Sequence, residues 1–368
     1  MNKKKKVWKT PAAMAVGRSK EDDTRLVLIE IAKGRHPAMR QLDKLFEILE
    51  EQLDKIDEIE NPKVQLELLG WFLSTDGILS KAEEEDEFYD LYADACAFFI
   101  ETAADFEDKQ FLMDLVHDLA VRHTGEDGRS AVFLSLNEFL PMSNALEMAN
   151  SVLETVQSQD LENVEDVLEA LRDMADGLNA PVIYEKASFL LDPDRSNETI
   201  IDVANAYYLA GDLETTKRFL SEVIDPGNKD EEEFLDLSVA CAHKEGDMDK
   251  ATKLAETLYE KFPKEFHLAR VSQIVLPARA EVLLDEHEKY RLGDNINEDY
   301  IDLLISIEKP DRLKAYIDRF EEDLAGLAAE TLERFAERLE SINQKEIADR
   351  LREWMVEEPE DVDLDEEE

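Results

Sequence analysis

Carboxylates are the most abundant reactive groups in this chain: 89 Asp and Glu among 368 residues, against 42 Lys and Arg and six His. A pair of carboxylates can do acid–base work when one is held protonated beside an ionised neighbour. At this density close pairs arise by chance, so spacing singles none out. Two acidic loops suggest oxygen ligands for calcium. Asp192, Asp194 and Ser196 have the early spacing of such a loop, but Asn197 stands at the turn glycine and Val203 at the final glutamate. Asp294-Asn295-Ile296 fails at its third position. Both read as solvated turns. His117 and His123 are six residues apart and do not share a helix face as an H-E-x-x-H pair would. His243, His267 and His287 are scattered and read as solvated or hydrogen-bonded surface groups. Cys96 and Cys241 sit in apolar helical patterns and read as buried free thiols. There is no G-x-x-x-x-G-K loop, no G-x-G-x-x-G turn and no G-x-S-x-G elbow. The expectation is a non-enzymatic protein with no catalytic residue, no cofactor and no metal.

The formal net charge is −47. Residues 1–20 carry seven cations and no acid, while residues 357–368 carry nine acids and no base. The acidity therefore belongs mainly to the folded part. It argues against direct nucleic-acid binding by the body, which would need a cationic face to release counterions. Anionic membrane surfaces are disfavoured for the same reason. Basic partners are favoured by steered encounter. A soluble, salt-tolerant surface and mimicry of nucleic acid are two further meanings of the same charge. The cationic start MNKKKK is not followed by an apolar core, so it does not read as a secretory signal. No apolar run approaches the ~20 residues that span a bilayer. The expected location is the cytoplasm.

The elements that must position any site are helices. Only 12 Gly and 11 Pro are present, and no stretch alternates with period two. Leu42, Leu45, Phe46, Leu49, Leu53 and Ile56 recur at three- and four-residue steps, with Asp and Glu on the other faces. Ser19 with Asp22 resembles a capping box for a helix ending near Gly34, and Asn61-Pro62 is read as a stop. Further helices are expected at about 84–104, 130–140, 142–158, 161–176 and 181–191. Thr124–Gly128 is a loop by its turn chemistry and the best boundary candidate. The expected organisation is a disordered basic arm (1–18), an N-terminal helical segment (19–123), a helical-repeat array (129–263), C-terminal capping helices (264–356) and a disordered acidic tail (357–368).

Gly177, Gly211 and Gly246 lie 34 and 35 residues apart, the length of one helix–turn–helix unit. Residues 197–263 read as two such units. In the first, Ala204 and Tyr207 precede Gly211-Asp212-Leu213, and Thr216, Leu220, Val223 and Ile224 line a helix ending at Asp225-Pro226. In the second, Val239 and Ala242 precede Gly246-Asp247-Met248, then Ala251, Ala255, Leu258, Tyr259 and Pro263 follow. Glycine permits a tight C-terminal cap and the aspartate after it can cap the next helix. These residues resemble the tetratricopeptide repeat, well at Gly211, Gly246, Ala251 and Pro263. The match fails at Thr216, where alanine is usual, and at Ile200, where tryptophan is usual. After Pro263 the period is lost. The pieces TRLVLIEIAKG, LELLGWFLSTDGIL and ANAYYLAGDLETTKRFL resemble a bacterial family of helical-repeat proteins of unassigned activity. The resemblance to tetratricopeptide repeats implies an all-α, right-handed α-solenoid of stacked helical hairpins.

Such an array offers a concave surface for an extended peptide or a partner helix. The expected function is a protein–protein interaction scaffold that binds basic protein or peptide segments. Its groove candidates by position are Asn205, Tyr208 and Asp212 in the first unit, and His243 and Asp247 in the second. Tyr208 and Trp71 lie beside pattern positions and are read first as packing residues. Two other classes compete: a nucleic-acid mimic, which requires two parallel rows of acids, and an enzyme whose site is built from dispersed residues.

Overall fold

The computed structural model describes residues 19–82, 86–293, 295–324 and 326–354. The basic arm, the acidic tail and the second calcium-like loop at Asp294 fall wholly or partly outside them. Among the described residues the fold is all-α, with no strand. The chain divides into two compact units, Met1–Val223 and Ile224–Glu368.

In the first unit, α1 (Lys20–Ala32) starts as its sequence dictates: the Ser19 hydroxyl accepts the Asp22 amide at 3.2 Å. α2 (Leu42–Asp57) buries Leu45, Leu49 and Ile56 along one stripe. Asn61-Pro62 opens the next helix rather than closing this one. Asn61 caps the amides of Lys63 and Val64, and Pro62 is the first residue of α3 (Pro62–Leu73). Proline suits that position, because its missing N–H would have no intrahelical partner there. A 3-10 segment (Asp76–Lys81) leads to α4 (Asp86–Ala104) and α5 (Lys109–Val121). The loop after α5 is pinned. Arg129 and Asp76 are both fully buried; Nε of Arg129 donates to Asp76 Oδ2 at 2.7 Å, and its Nη2 pairs with Oδ1. Thr124 Oγ1 donates to Asp76 at 2.9 Å, and Arg129 Nη1 donates to the Leu119 carbonyl at 3.0 Å. The guanidinium and carboxylate thus satisfy each other and the ends of α5, which a buried pair requires. Then come α6 (Ser130–Leu134), α7 (Leu136–Phe139), α8 (Met142–Ser158), α9 (Val164–Gly177), α10 (Pro181–Leu191), α11 (Asn197–Leu209) and α12 (Leu213–Leu220). α12 stops at Leu220, short of the expected Pro226, and Ile224 is 80% exposed instead of lining the helix.

The second unit consists of packed helix pairs: α13 (Gly227–Glu245) with α14 (Met248–Lys261), α15 (Glu265–Ile274) with α16 (Pro277–Tyr290), α17 (Glu298–Ser306) with α18 (Pro310–Arg319) and, after the short α19 (Glu321–Leu324), α20 (Ala329–Ser341) with α21 (Lys345–Arg352). One continuous apolar core runs from Leu235 to Leu351. Pro277 is the first residue of α16.

A single turn design joins most of these pairs. After α11 the amide of Asp212 reaches back to the Tyr207 carbonyl (2.9 Å) and that of Gly211 to Tyr208, with Gly211 at φ +84°. After α13, Asp247 and Gly246 do the same to Ala242 and His243, with Gly246 at φ +80°. After α9 the left-handed residue is Asn179 (φ +50°), not Gly177. Gly177 instead allows a close approach, since a Cβ there would lie 1.9 Å from the Leu134 carbonyl oxygen. Past Pro263 the turn recurs with Glu308 (φ +54°) and Asn343 (φ +61°) in the left-handed position. Their successors, Lys309 and Gln344, reach back to Leu304 and Leu339. The pattern therefore continues where glycine no longer marks it.

Candidate interaction surface

The groove candidates divide between the two units. On α11, Asn205 is exposed and Tyr208 half-buried. They follow Asp202 at three-residue steps and so share its face. Asp212 is committed to the local fold: it accepts the Thr215 amide (3.0 Å) and hydroxyl (2.7 Å), which hold its carboxyl below the usual range. In the second unit, His243 is exposed near the end of α13, and Asp247 caps α14 through the Lys250 amide at 3.2 Å. Two of the five thus build helix termini.

A more concentrated arrangement lies on α9. Its apolar face buries Val167, Leu168, Leu171 and Met174. The opposite face carries Asp166, Glu169, Asp173 and Asp176 at steps of three, four and three residues, all on one side of the helix. Asp127, at the end of the pinned loop, adds its charge to Glu169 and Asp173, and Asp202 of α11 adds its own to Asp176. Loss of water raises every one of Asp166, Glu169, Asp173, Asp176 and Asp202 above the ordinary carboxylate value, and neighbouring carboxylates add to the effect. Asp173 is pushed up to about 6, even though the Ser130 hydroxyl bonds to it. The cation beside this row is Arg172, and it is already engaged. Its Nη2 donates to Tyr184 Oη and, at 3.1 Å, to Asp202, while its guanidinium lies 4.9 Å from the Tyr184 ring centre. The sequence shows the i, i+3, i+7, i+10 spacing of these residues but gives no reason to prefer them. It does not show that the loop and α11 bring further acids to the same place.

Several second-unit carboxylates are paired with cations instead. Glu232 of α13 accepts from Lys264 (2.6 Å) and sits 2.8 Å from His267 Nε2. Arg270 pairs with Asp236, and Arg338 with Asp302. Arg312 of α18 reaches Glu281, Asp285 and Glu288 of α16 at 2.6–2.8 Å. Two histidines expected at the surface are buried here. His267 is 2% exposed; His287 is 1% exposed, 2.8 Å from Tyr259 Oη and stacked on Tyr300 at 5.5 Å. Burial pulls His287 below its ordinary value. Tyr259 is raised to about 12 by burial.

Asp192 accepts the Ser196 amide at 2.6 Å and is lowered to about 2 by bonds from Ser196; the calcium-like spacing is thus a capped turn at the start of α11. Among the described residues no three His, Cys, Asp or Glu are grouped to hold a metal. Cys96 and Cys241 are free and buried, and burial pushes the Cys96 thiol up to about 12. Among the described residues no helix is long and apolar enough to cross a membrane.

No known protein-family profile matches the chain, and no curated protein matches it. Among solved structures it is similar to Ton1535 from Thermococcus onnurineus NA1, at 14% identity over 91% of this chain and 90% of that one, with a TM-score of 0.21.

Proposed function

We propose that this protein is a non-enzymatic interaction scaffold that binds Lys- and Arg-rich protein segments on its acidic helical surface. On this reading the helix pairs stack as a tetratricopeptide-like, right-handed solenoid in the cytoplasm, and the face of α9 and α11 is the docking strip. The supporting observation is the row of Asp166, Glu169, Asp173 and Asp176, whose neighbouring cation, Arg172, is held by Tyr184 and Asp202. Carboxylates crowded in this way gain when a cation arrives, because its charge screens their repulsion and offsets the penalty of their partial burial. Asn205 and Tyr208 extend the same strip along α11. Salt bridges of this kind supply steering and selectivity more than raw affinity.

The test is fluorescence anisotropy of a labelled twelve-residue Arg/Lys peptide with the full chain. Affinity is expected to fall at least about tenfold between 50 and 300 mM salt, as screening shortens the reach of each charge. Glu169→Gln with Asp173→Asn should weaken binding by about tenfold, the equivalent of one good charge-assisted contact. Salt-independent affinity, or an unchanged double variant, overturns the reading. Displacement of DNA from a DNA-binding protein, without affinity for the peptide, would favour nucleic-acid mimicry instead.

A further inference from the structure

A buried imidazole joins several helices of the second unit. His287 of α16 is 1% exposed. Its Nδ1 lies 2.8 Å from Tyr259 Oη of α14, and its ring stacks on Tyr300 of α17. Its Nε2 is buried and closes no hydrogen bond among the described residues, although Glu265 Oε1 of α15 stands 3.4 Å away. That same oxygen accepts from Asn297 Nδ2 at 2.9 Å. Asn297 is the N-cap of α17. Its Oδ1 accepts the Tyr300 amide at 3.0 Å, and its own amide donates to Tyr316 Oη of α18 at 2.9 Å. One carboxylate oxygen thus faces two groups: the amide that ties α15 to α17, and an imidazole nitrogen that does not yet reach it.

Donor and acceptor needs assign the proton on the neutral ring. Tyr259 donates its hydroxyl to Nδ1, and the ring proton sits on Nε2, facing Glu265; the other tautomer would turn a lone pair on the carboxylate. A second proton must go to Nδ1. Nδ1–H then donates to Tyr259 Oη, whose own proton turns away. Nε2–H becomes a charged donor, stronger than the neutral Asn297 amide with which it shares Glu265 Oε1.

The charges around the ring pull both ways. Glu265 of α15 and Glu288 of α16 favour a cation here, and Arg291 just past α16 opposes one. Glu288 is already met by Tyr300 Oη of α17 at 2.5 Å and by Arg312 of α18 at 2.8 Å. From α14 the ring meets Tyr259, on which Glu265, Glu286 and Arg291 also act. Loss of water is the largest influence and keeps the ring neutral to lower pH than an ordinary histidine.

We propose that His287 is a proton-operated switch between α15 and α17: neutral, it leaves Glu265 to Asn297; protonated, it takes Glu265 and loosens the capped start of α17. A histidine held neutral by burial contributes stability that is complete above about pH 6.5 and is lost as pH falls. The link between α15 and α17 is therefore whole at pH 7.5 and weakens on acidification. The switch is independent of the α9 row.

Hydrogen exchange and NMR of the full chain test it. After correction for the intrinsic pH dependence of exchange, protection of α17 should fall at least about threefold more than that of α13 between pH 7.5 and 5. The side-chain amide signals of Asn297 should shift with the same midpoint as the His287 ring. His287→Gln cannot take the second proton, so α17 should lose this extra pH dependence whatever its starting protection. Glu265→Gln keeps an oxygen for Asn297 but removes the charge, and should weaken proton binding by His287 about tenfold. Equal falls in α17 and α13 overturn the proposal, as does a pH dependence of α17 that survives in His287→Gln. A His287 titration unmoved by Glu265→Gln, or one that leaves the Asn297 signals unchanged, overturns it as well.

Discussion

The acidic row of α9 and the paired acids of the second unit stand in opposite surroundings. Residues 21–223 carry a formal charge of −31, and residues 224–354 carry −14. On α9 and α11 the shifted carboxylates are raised, because burial and one another are their main company. In the second unit, Glu281, Glu333 and Glu340 are lowered by bonds to Lys309 and Arg312 or to Arg352. Glu232 is lowered too, by Lys264 and His267 acting against burial. The same residue types serve as mortar in the second unit and as an unmet demand for cations along the α9 row. Composition cannot distinguish these uses, because both are written in Asp and Glu.

The sharpest way to break the comparison is at the fully buried ion pair of the first unit. Arg129→Met leaves the buried Asp76 without its guanidinium partner, with Thr124 still bonded to it. Removing one partner of such a pair costs about 3–5 kcal/mol. In the second unit, Arg312→Met also removes three carboxylate contacts, but these are partly solvated and the loss should be about 1 kcal/mol. Hydrogen exchange of α5 and of α16 in the native state reads the two separately. Comparable losses would mean that the second unit's pairs are as essential as the first unit's buried one.

Glycine substitutions come next in size. Gly177→Ala sets a methyl against the Leu134 backbone carbonyl, which cannot rotate away, and should cost about 2–3 kcal/mol. Gly211→Ala and Gly246→Ala meet no neighbour and suffer only from their left-handed backbone, at about 1 kcal/mol each. Denaturant midpoints of the three variants check the order. A cost at Gly177 equal to the other two would return it to the turn role its spacing suggests.

That contrast also measures what the sequence disclosed. The helices were legible because apolar residues recur at helical steps, as in α2, and caps such as Ser19 announce their starts. The shared turn is legible at Gly211 and Gly246, where glycine takes the left-handed position. It goes unmarked at Asn179, Glu308 and Asn343 because other residues can occupy that region at modest cost. Thr216 looked like a mismatch to the repeat, yet it is fully buried, with its hydroxyl bonded to the Asp212 carbonyl at 2.8 Å. The burial of His267 and His287 left no mark either, since their polar partners come from other helices. The α9 strip failed to stand out for the same reason: Asp127 and Asp202 join it only through folding.

Acidification should separate groups that composition lumps together. Burial, then the charge of Arg129, lowers His123 to about 4, and burial raises Asp173 to about 6. A histidine held neutral contributes stability that is complete above about 6.5 and is lost as pH falls toward 4. A carboxyl with a raised value does the reverse: its penalty is complete above pH 6 and is relieved as pH falls toward 4. The two oppose each other within the first unit. Asp173→Asn should therefore be more stable than the parent by about 1 kcal/mol at pH 7.5, allowing for partial solvation, keep about half of that lead at pH 5 and lose most of it toward pH 4. Urea unfolding at the two pH values checks it. A lead undiminished between pH 7.5 and pH 5 would show that the carboxyl is not titrating in this window.

The smallest expected effect probes the comparison most directly. Added NaCl weakens attraction and repulsion alike once charges are separated by more than the Debye length, which shrinks from about 10 Å at 0.1 M to about 3 Å at 1 M. Repulsion among the first unit's raised carboxylates should therefore be relieved, while the second unit's bonded pairs lose part of their attraction. Raising NaCl from 0.05 to 0.5 M should increase the opening free energy of α9 by about 0.5 kcal/mol and leave that of α16 unchanged or slightly lower, in keeping with the small worth of exposed pairs. Hydrogen exchange of both helices in one sample removes differences in preparation. An equimolar neutral osmolyte separates screening from general compaction, because it should shift both helices upward. If salt moved α9 and α16 in the same direction by the same amount, the contrast between met and unmet carboxylates would fail, and the acidic row would be an ordinary solvated face.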